Sequence, residues 1–230
     1  MNKPSLLILS TVVALLAISC GKTTEKYAQK EHGMKFDSWE LNYRANDYDV
    51  YWPTLKLADQ PEGKLLNIET ERHWWTGQIL RRDTTLAGAL LNITINNVKS
   101  RNDAKYYDNV LIRVSNLEKQ FRSGLEHRFI FNENQKDSVS FSTKVNDDDY
   151  FVPGRELSGK IVSLLCGKNP VDLKVLYKGT SVEGCYSFTI NGSPKLEKGL
   201  VLNHERKLQA QKEFDKADRK AEKELEELFN

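Results

Sequence analysis

The chain has 230 residues, 39% of them hydrophobic and 10% aromatic, enough for one packed domain once its two ends are set aside. Its 34 basic and 32 acidic residues nearly cancel. That balance argues against nucleic acid as a partner, because such binding needs a basic face that displaces counterions.

At the N-terminus, Met1-Asn2-Lys3 is a short basic start, and the apolar run from Leu6 to Ile18 is broken only by Ser10 and Thr11. A finished transmembrane helix needs roughly 20 apolar residues, so this run reads instead as an export signal over residues 1–19. Small residues then lead into Cys20, and the whole resembles a bacterial lipoprotein signal, with Ala17 standing where Leu is usual. The resemblance implies acylation of Cys20 with palmitate-like chains and a membrane anchor without a spanning helix. Gly21, where an Asp would favour inner-membrane retention, implies the outer membrane of the cell envelope. An ordinary secretory peptide or a retained signal anchor is the alternative.

Residues 20–34 are polar and aperiodic and read as a flexible tether. From 35 to 195 the pattern has a period of two, the mark of strands with one buried and one solvated face. Ala89, Leu91, Ile93 and Ile95 alternate with polar residues, as do Val110, Ile112 and Val114. His127, Phe129 and Phe131 repeat the device, followed by Val139, Phe141 and Val145, then Val171, Leu173, Val175 and Tyr177, then Tyr186, Phe188 and Ile190. Many short strands at this spacing predict a mainly β, antiparallel fold, a β-sandwich or a barrel. A short helix is predicted from Leu117 to Ser123, where Ser115 and Glu118 have capping-box spacing. From 197 to 230, Ala210, Phe214, Ala217, Ala221, Leu225 and Leu228 recur at threes and fours, which predicts a long amphipathic helix. Its thin stripe could lie along the sandwich or pair with another protein's helix.

The run Phe151-Val152-Pro153-Gly154-Arg155-Glu156-Leu157-Ser158-Gly159-Lys160-Ile161, read as a Pro-Gly turn leading into a strand, resembles telokin-like immunoglobulin-fold domains of bacterial lipoproteins. Val171 to Tyr177 and Tyr186 to Ile190 fit the strands that follow, and Leu91 to Asn97 an earlier one. The resemblance implies an immunoglobulin-like, extracytoplasmic sandwich with no shared catalytic site.

Besides Cys20, the chain holds Cys166 and Cys185. In an oxidising compartment a bridge between them is expected, contributing about 3 kcal/mol. Against it, regular alternation turns Cys185 away from the apolar face of Tyr186 and Phe188. No histidine falls in a metal-binding spacing, no nucleophile motif is present, and the sequence calls for no cofactor or metal. Asp147-Asp148-Asp149 reads as a solvated turn rather than a calcium loop, which needs spaced ligands.

Trp74 and Trp75 are adjacent in a run, His73 to Arg82, that reads as a strand, so they point to opposite faces. Core packing and cover by the chain itself account for one or both, while an outer aromatic patch joined by Trp52 is the functional alternative. The leading expectation is a lipid-anchored, non-catalytic module that binds another envelope protein through the C-terminal helix or that patch. A carbohydrate-binding lipoprotein using exposed Trp is the second reading, and a hydrolase the third.

Overall fold

The computed structural model describes residues 23–115 and 124–229. Its elements are α1 (Thr23–Glu31), β1 (Met34–Phe36), β2 (Trp39–Ala45), β3 (Tyr51–Leu57), β4 (Glu62–Arg72), β5 (Ile79–Lys99) and β6 (Tyr106–Ser115). Then follow β7 (His127–Phe131), β8 (Val139–Thr143), α2 (Arg155–Leu165), β9 (Val171–Lys178), β10 (Val182–Ile190) and α3 (Leu196–Phe229). The protein is mainly β, antiparallel and sandwich-like, with a long C-terminal helix, as the period-two pattern predicts.

One strand organises everything else. β5 is 21 residues long and serves both halves of the sheet. Its first half pairs with β4, which continues through β10, β9 and β7 to β8; its second half pairs with β3 and β6. At the crossover, Leu90 lies opposite Glu62 on one side and Ser115 on the other. The two halves fold over one core. Phe151 bridges to Ile112 of β6 and packs on His127 and Phe129 of β7, at ring distances of 4.7 and 5.0 Å. Inward positions of each strand supply that core: Leu91, Ile93 and Ile95, Val110 and Ile112, Phe129 and Phe131, Val175, Tyr186 and Ile190. Fully burying each such side chain contributes roughly 1.5–3 kcal/mol.

Three segments depart from the sequence reading. Residues 23–31 are not a flexible tether but helix α1, because Thr24, Ala28 and Glu31 form one buried stripe against α3. The segment after Pro153-Gly154 is helix α2, not a strand: Ser158, Ile161, Val162 and Leu165 repeat at threes and fours and bury one face. Gly154, at φ 84°, makes the entry that an L side chain would resist. The strand at the heart of the family resemblance is thereby replaced by a helix. Residues 73–78 form a turn, so the strand read from His73 begins only at Ile79. The predicted helix at 117–123 and Cys20 lie outside the described residues.

The cysteine bridge is also corrected. Cys166 and Cys185 are both free thiols. Cys166 ends α2, while Cys185 sits on the outer face of β10, opposite Leu66 and Leu176. The alternation along β10 wins over compartment chemistry.

α3 begins against the core, where Gly199 lets the helix approach Phe36 and Leu55. Asn203 and Ala210 are buried farther along it. α1 runs antiparallel beside it, tied by Thr24 to Glu213 at one end and Glu31 to Arg206 at the other. Tyr48 packs on Phe214 at 5.4 Å, and its hydroxyl donates to Asp218. Beyond Asp218 the helix leaves the domain, and Leu225 and Leu228 are exposed.

Candidate functional site

The β4–β5 hairpin outgrows the sheet that supports it. β10 pairs with β4 as far as Glu69, opposite Val182, the Thr70 amide donates to the Ser181 carbonyl at 2.7 Å, and beyond that point no described strand flanks the two. The tip is closed by backbone bonds: His73 donates to the Gln78 carbonyl at 2.8 Å, and Gly77 to the His73 carbonyl at 2.9 Å. Gly77 takes φ 69°, and the Arg72 guanidinium donates to its carbonyl. The Thr76 amide donates to His73 Nδ1 and the Gln78 amide to the Thr76 hydroxyl, and the turn so fixed carries the two tryptophans outward.

Both tryptophans are solvent-facing: Trp74 is 85% exposed and Trp75 77%. The expected division between a core face and an outer face fails because a turn has no alternation to enforce. Their rings meet edge to face, 5.4 Å apart at 71°, and His73 stacks on Trp74. Ile79, Leu80, Leu66 and Leu86 are exposed on the same hairpin, Leu86 by 80%. Half of the twelve large hydrophobic side chains exposed among the described residues therefore sit on this one element.

From the arm, an apolar row crosses the outer face of the sheet. Cross-strand pairing sets Leu86, Leu66, Cys185 and Leu176 side by side, ending at Arg128 and Ser142. A shallow cavity of about 530 Å³ follows that row. The arm's cations lie just behind its tip. Arg81 pairs with Asp83 at 2.7 Å, and Arg82 with Glu183 at 3.1 Å.

Trp52 does not join this patch. It lies under α3, with the Lys207 ammonium 4.0 Å above its ring and Phe214 at 5.8 Å, so the chain covers it itself. Burial there pushes the Lys207 ammonium below its ordinary pKa. Trp39 belongs to the core.

The two ends of β5 separate two poles. β3 runs antiparallel to β5, so Tyr51 lies toward the Lys99 end, and the Tyr51 amide donates to Thr24 of α1. The start of α1 and the free end of α3 thus share one pole, and the tryptophan tip occupies the other. At roughly 3.3 Å per residue, the strand between them spans at most about 70 Å.

Compared with known proteins, the chain matches no family model, no curated protein and no solved structure. Among the described residues no cluster of three or more His, Cys, Asp and Glu is placed to hold a metal ion. No described helix is long and apolar enough to cross a membrane. Asn146 closes the turn through Asp147-Asp148-Asp149, its side-chain oxygen accepting from the amides of Asp148 and Tyr150. Sequence reasoning singled out the two tryptophans but missed Leu66, Ile79, Leu80 and Leu86. The available signal was the His73-to-Gly77 turn between two long alternating runs, which marks a hairpin with aromatics at its tip.

Proposed function

We propose that this protein is a non-catalytic binding and assembly module of the cell envelope, held to a membrane through acylated Cys20, whose contact surface is the β4–β5 arm. The exposed Trp74-Trp75 tip carries this reading. An isolated two-stranded hairpin is marginal in water, and large contiguous apolar surfaces are usually covered by a partner. Tryptophan anchors are the side chains that contribute most at protein interfaces.

The polarity of the molecule supports the envelope reading. Thr23 follows Cys20 by three residues, so acyl chains at Cys20 would lie at the pole away from the arm. The tip is then displayed outward, where a partner can reach it. Leu66, Ile79, Leu80 and Leu86 favour a protein over a glycan, since sugar rings stack on flat aromatic platforms and gain little from aliphatic side chains. The edge-to-face angle of the two indoles points the same way. α3 contributes less than the sequence suggests, because its first two-thirds serve its own domain.

A photo-crosslinking residue placed at Trp75 in the full chain, in cells, tests this. Crosslinked protein adducts are expected at that position and absent at Lys160 on α2. Adducts equal at both positions, or at neither, would remove the arm as the contact surface. W74A and W75A should lose the interaction with no change in thermal stability. Retention of a purified glycan that depends on the same residues would favour the carbohydrate reading instead.

A further inference from the structure

α3 sorts its charges by face where it leaves the domain. Lys212, Lys216, Arg219 and Lys223 are spaced four, three and four residues apart, so at about 100° per residue they share one arc of about 60°. Ala210, Phe214, Ala217 and Ala221 occupy the opposite side, where Ala210 is buried and Phe214 packs on Tyr48 and Trp52. All four cations are exposed, and none has an ion-pair or hydrogen-bond partner among the described residues. Lys220, at the margin of the arc, pairs with Glu224 at 3.3 Å. The neighbouring acids are used elsewhere: Glu213 accepts from Thr24 of α1, Asp215 from Gln211, and Asp218 from Tyr48. Glu226 and Glu227 close the arc at its C-terminal end.

This pattern does not favour a helix in water. Lys212 with Lys216, Lys216 with Lys220, and Arg219 with Lys223 are like pairs at i, i+4, which weaken a helix that alternating signs would strengthen. An anion outside the chain reverses that cost. α1 lies beside α3 on the flank of Arg206 and Glu213, not over the arc. It adds Lys26 and Lys30, both exposed on its side opposite the buried Ala28.

Resting on the reading of Cys20 as the acylated anchor, we propose that this basic face binds an anionic lipid surface. The Thr24 amide donates to Glu213, which stands between Lys212 and Lys216. Cys20 precedes Thr24 by four residues, which span at most about 14 Å. The α1–α3 pair thus brings the acyl chains and the arc to one headgroup layer, with the tryptophan tip at the other pole. A basic patch beside an acyl chain supplies the second of the two signals that stable anchoring takes. Each cation held near an anionic surface strengthens the attachment by about fivefold.

The full acylated chain, carried into vesicles of phosphatidylcholine alone or with about one-third phosphatidylglycerol, tests this. Brief acetylation followed by peptide mass mapping should label Lys212, Lys216 and Lys223 at least about fivefold more slowly on the anionic vesicles. Lys178, exposed at the base of the arm, should react at the same rate on both. About 0.5 M salt should remove the difference, because it screens the surface charge. Equal labelling on both vesicles, or a slowing that salt leaves intact, would overturn the proposal; the anchor reading stands if the chain still floats with the lipid. Protection of the three lysines in intact cells but on neither vesicle would assign the face to an acidic protein and likewise overturn the lipid contact. A chain that floats with neither vesicle overturns the anchor and the proposal together.

Discussion

Glu31 and Arg206 form a two-point clasp between the first and last helices, with guanidinium-to-carboxylate distances of 2.8 and 2.7 Å. The Tyr43 hydroxyl donates to the same carboxylate at 2.8 Å, and the guanidinium lies 3.9 Å over the Tyr27 ring. Removing one partner of a buried pair leaves the other charge unpaired, which costs about 3 kcal/mol. R206A should therefore lose about that much stability in urea denaturation, and E31Q less, since Gln still accepts from Tyr43. The Arg206 guanidinium also holds the Glu31 carboxyl below its ordinary pKa. A lowered folded-state pKa stabilises above the ordinary carboxylate range and is lost as pH falls through it. The difference between wild type and E31Q should accordingly shrink below about pH 4.5.

His127 supplies a second acid-sensitive step at a higher pH. It is buried between Phe151 and Tyr177, its Nδ1 faces the Leu125 carbonyl, and its Nε2 has no hydrogen-bond partner among the described residues. Desolvation lowers its pKa below the ordinary histidine value. The folded chain thus resists a proton that the unfolded chain accepts below about pH 6.5, so stability rises with pH across that window and declines on acidification. The melting temperature of wild type should fall between about pH 7 and pH 5.5. H127F, which fills the same space without a titrating ring, should be flatter there. A wild-type curve as flat as that variant's would show that His127 does not resist protonation in the folded chain.

The core strands were legible in the sequence because each buries one face, and Leu91-Ile93-Ile95 or Val171-Leu173-Val175 announce that by alternation alone. α2 was not, because Leu157, Ile161, Val162 and Leu165 follow a Pro-Gly pair that serves a turn and a helix entry equally well. α1 was hidden for a different reason. Its buried stripe is Thr24, Ala28 and Glu31, which looks polar until Arg206 and Glu213, some 180 residues away, supply its partners. The arm's tip was half visible: two tryptophans stand out in any sequence, but their exposure comes from a turn that lies beyond the last contact of β4 with the β10 side, Thr70 to Ser181.

The two thiols should behave differently. Burial pushes the Cys166 thiol up to about 11, with Glu197 and Asp108 acting in the same direction. It then carries on the order of a hundredfold less thiolate at neutral pH than an ordinary cysteine, and alkylates correspondingly slowly. Cys185 sits in the shallow cavity on the outer face and should react first. Timed alkylation followed by peptide mass mapping should label Cys185 in native protein and both thiols after denaturation. Absence of labelling under non-reducing denaturation would re-establish the bridge.

Truncations of α3 should separate its two roles. Its beginning packs Gly199 against Phe36 and Leu55 and buries Leu196, Asn203 and Ala210. Cutting the chain at residue 199 therefore opens the core and removes Arg206 from a buried Glu31. That protein should fail to fold, and any loss of partner binding in it would carry no information about the helix as an interface. Cutting after Lys220 removes only turns that stand clear of the domain, since Tyr48 makes its contacts at Phe214 and Asp218. Surface residues away from caps and ion pairs change stability by no more than about 0.5 kcal/mol each way. The shorter cut should therefore melt within a few degrees of the full chain and keep the arm's contacts, as read by crosslinking at Trp75. If it folds normally but loses those contacts, the free end of α3 reaches the partner too, and the two poles act on one assembly.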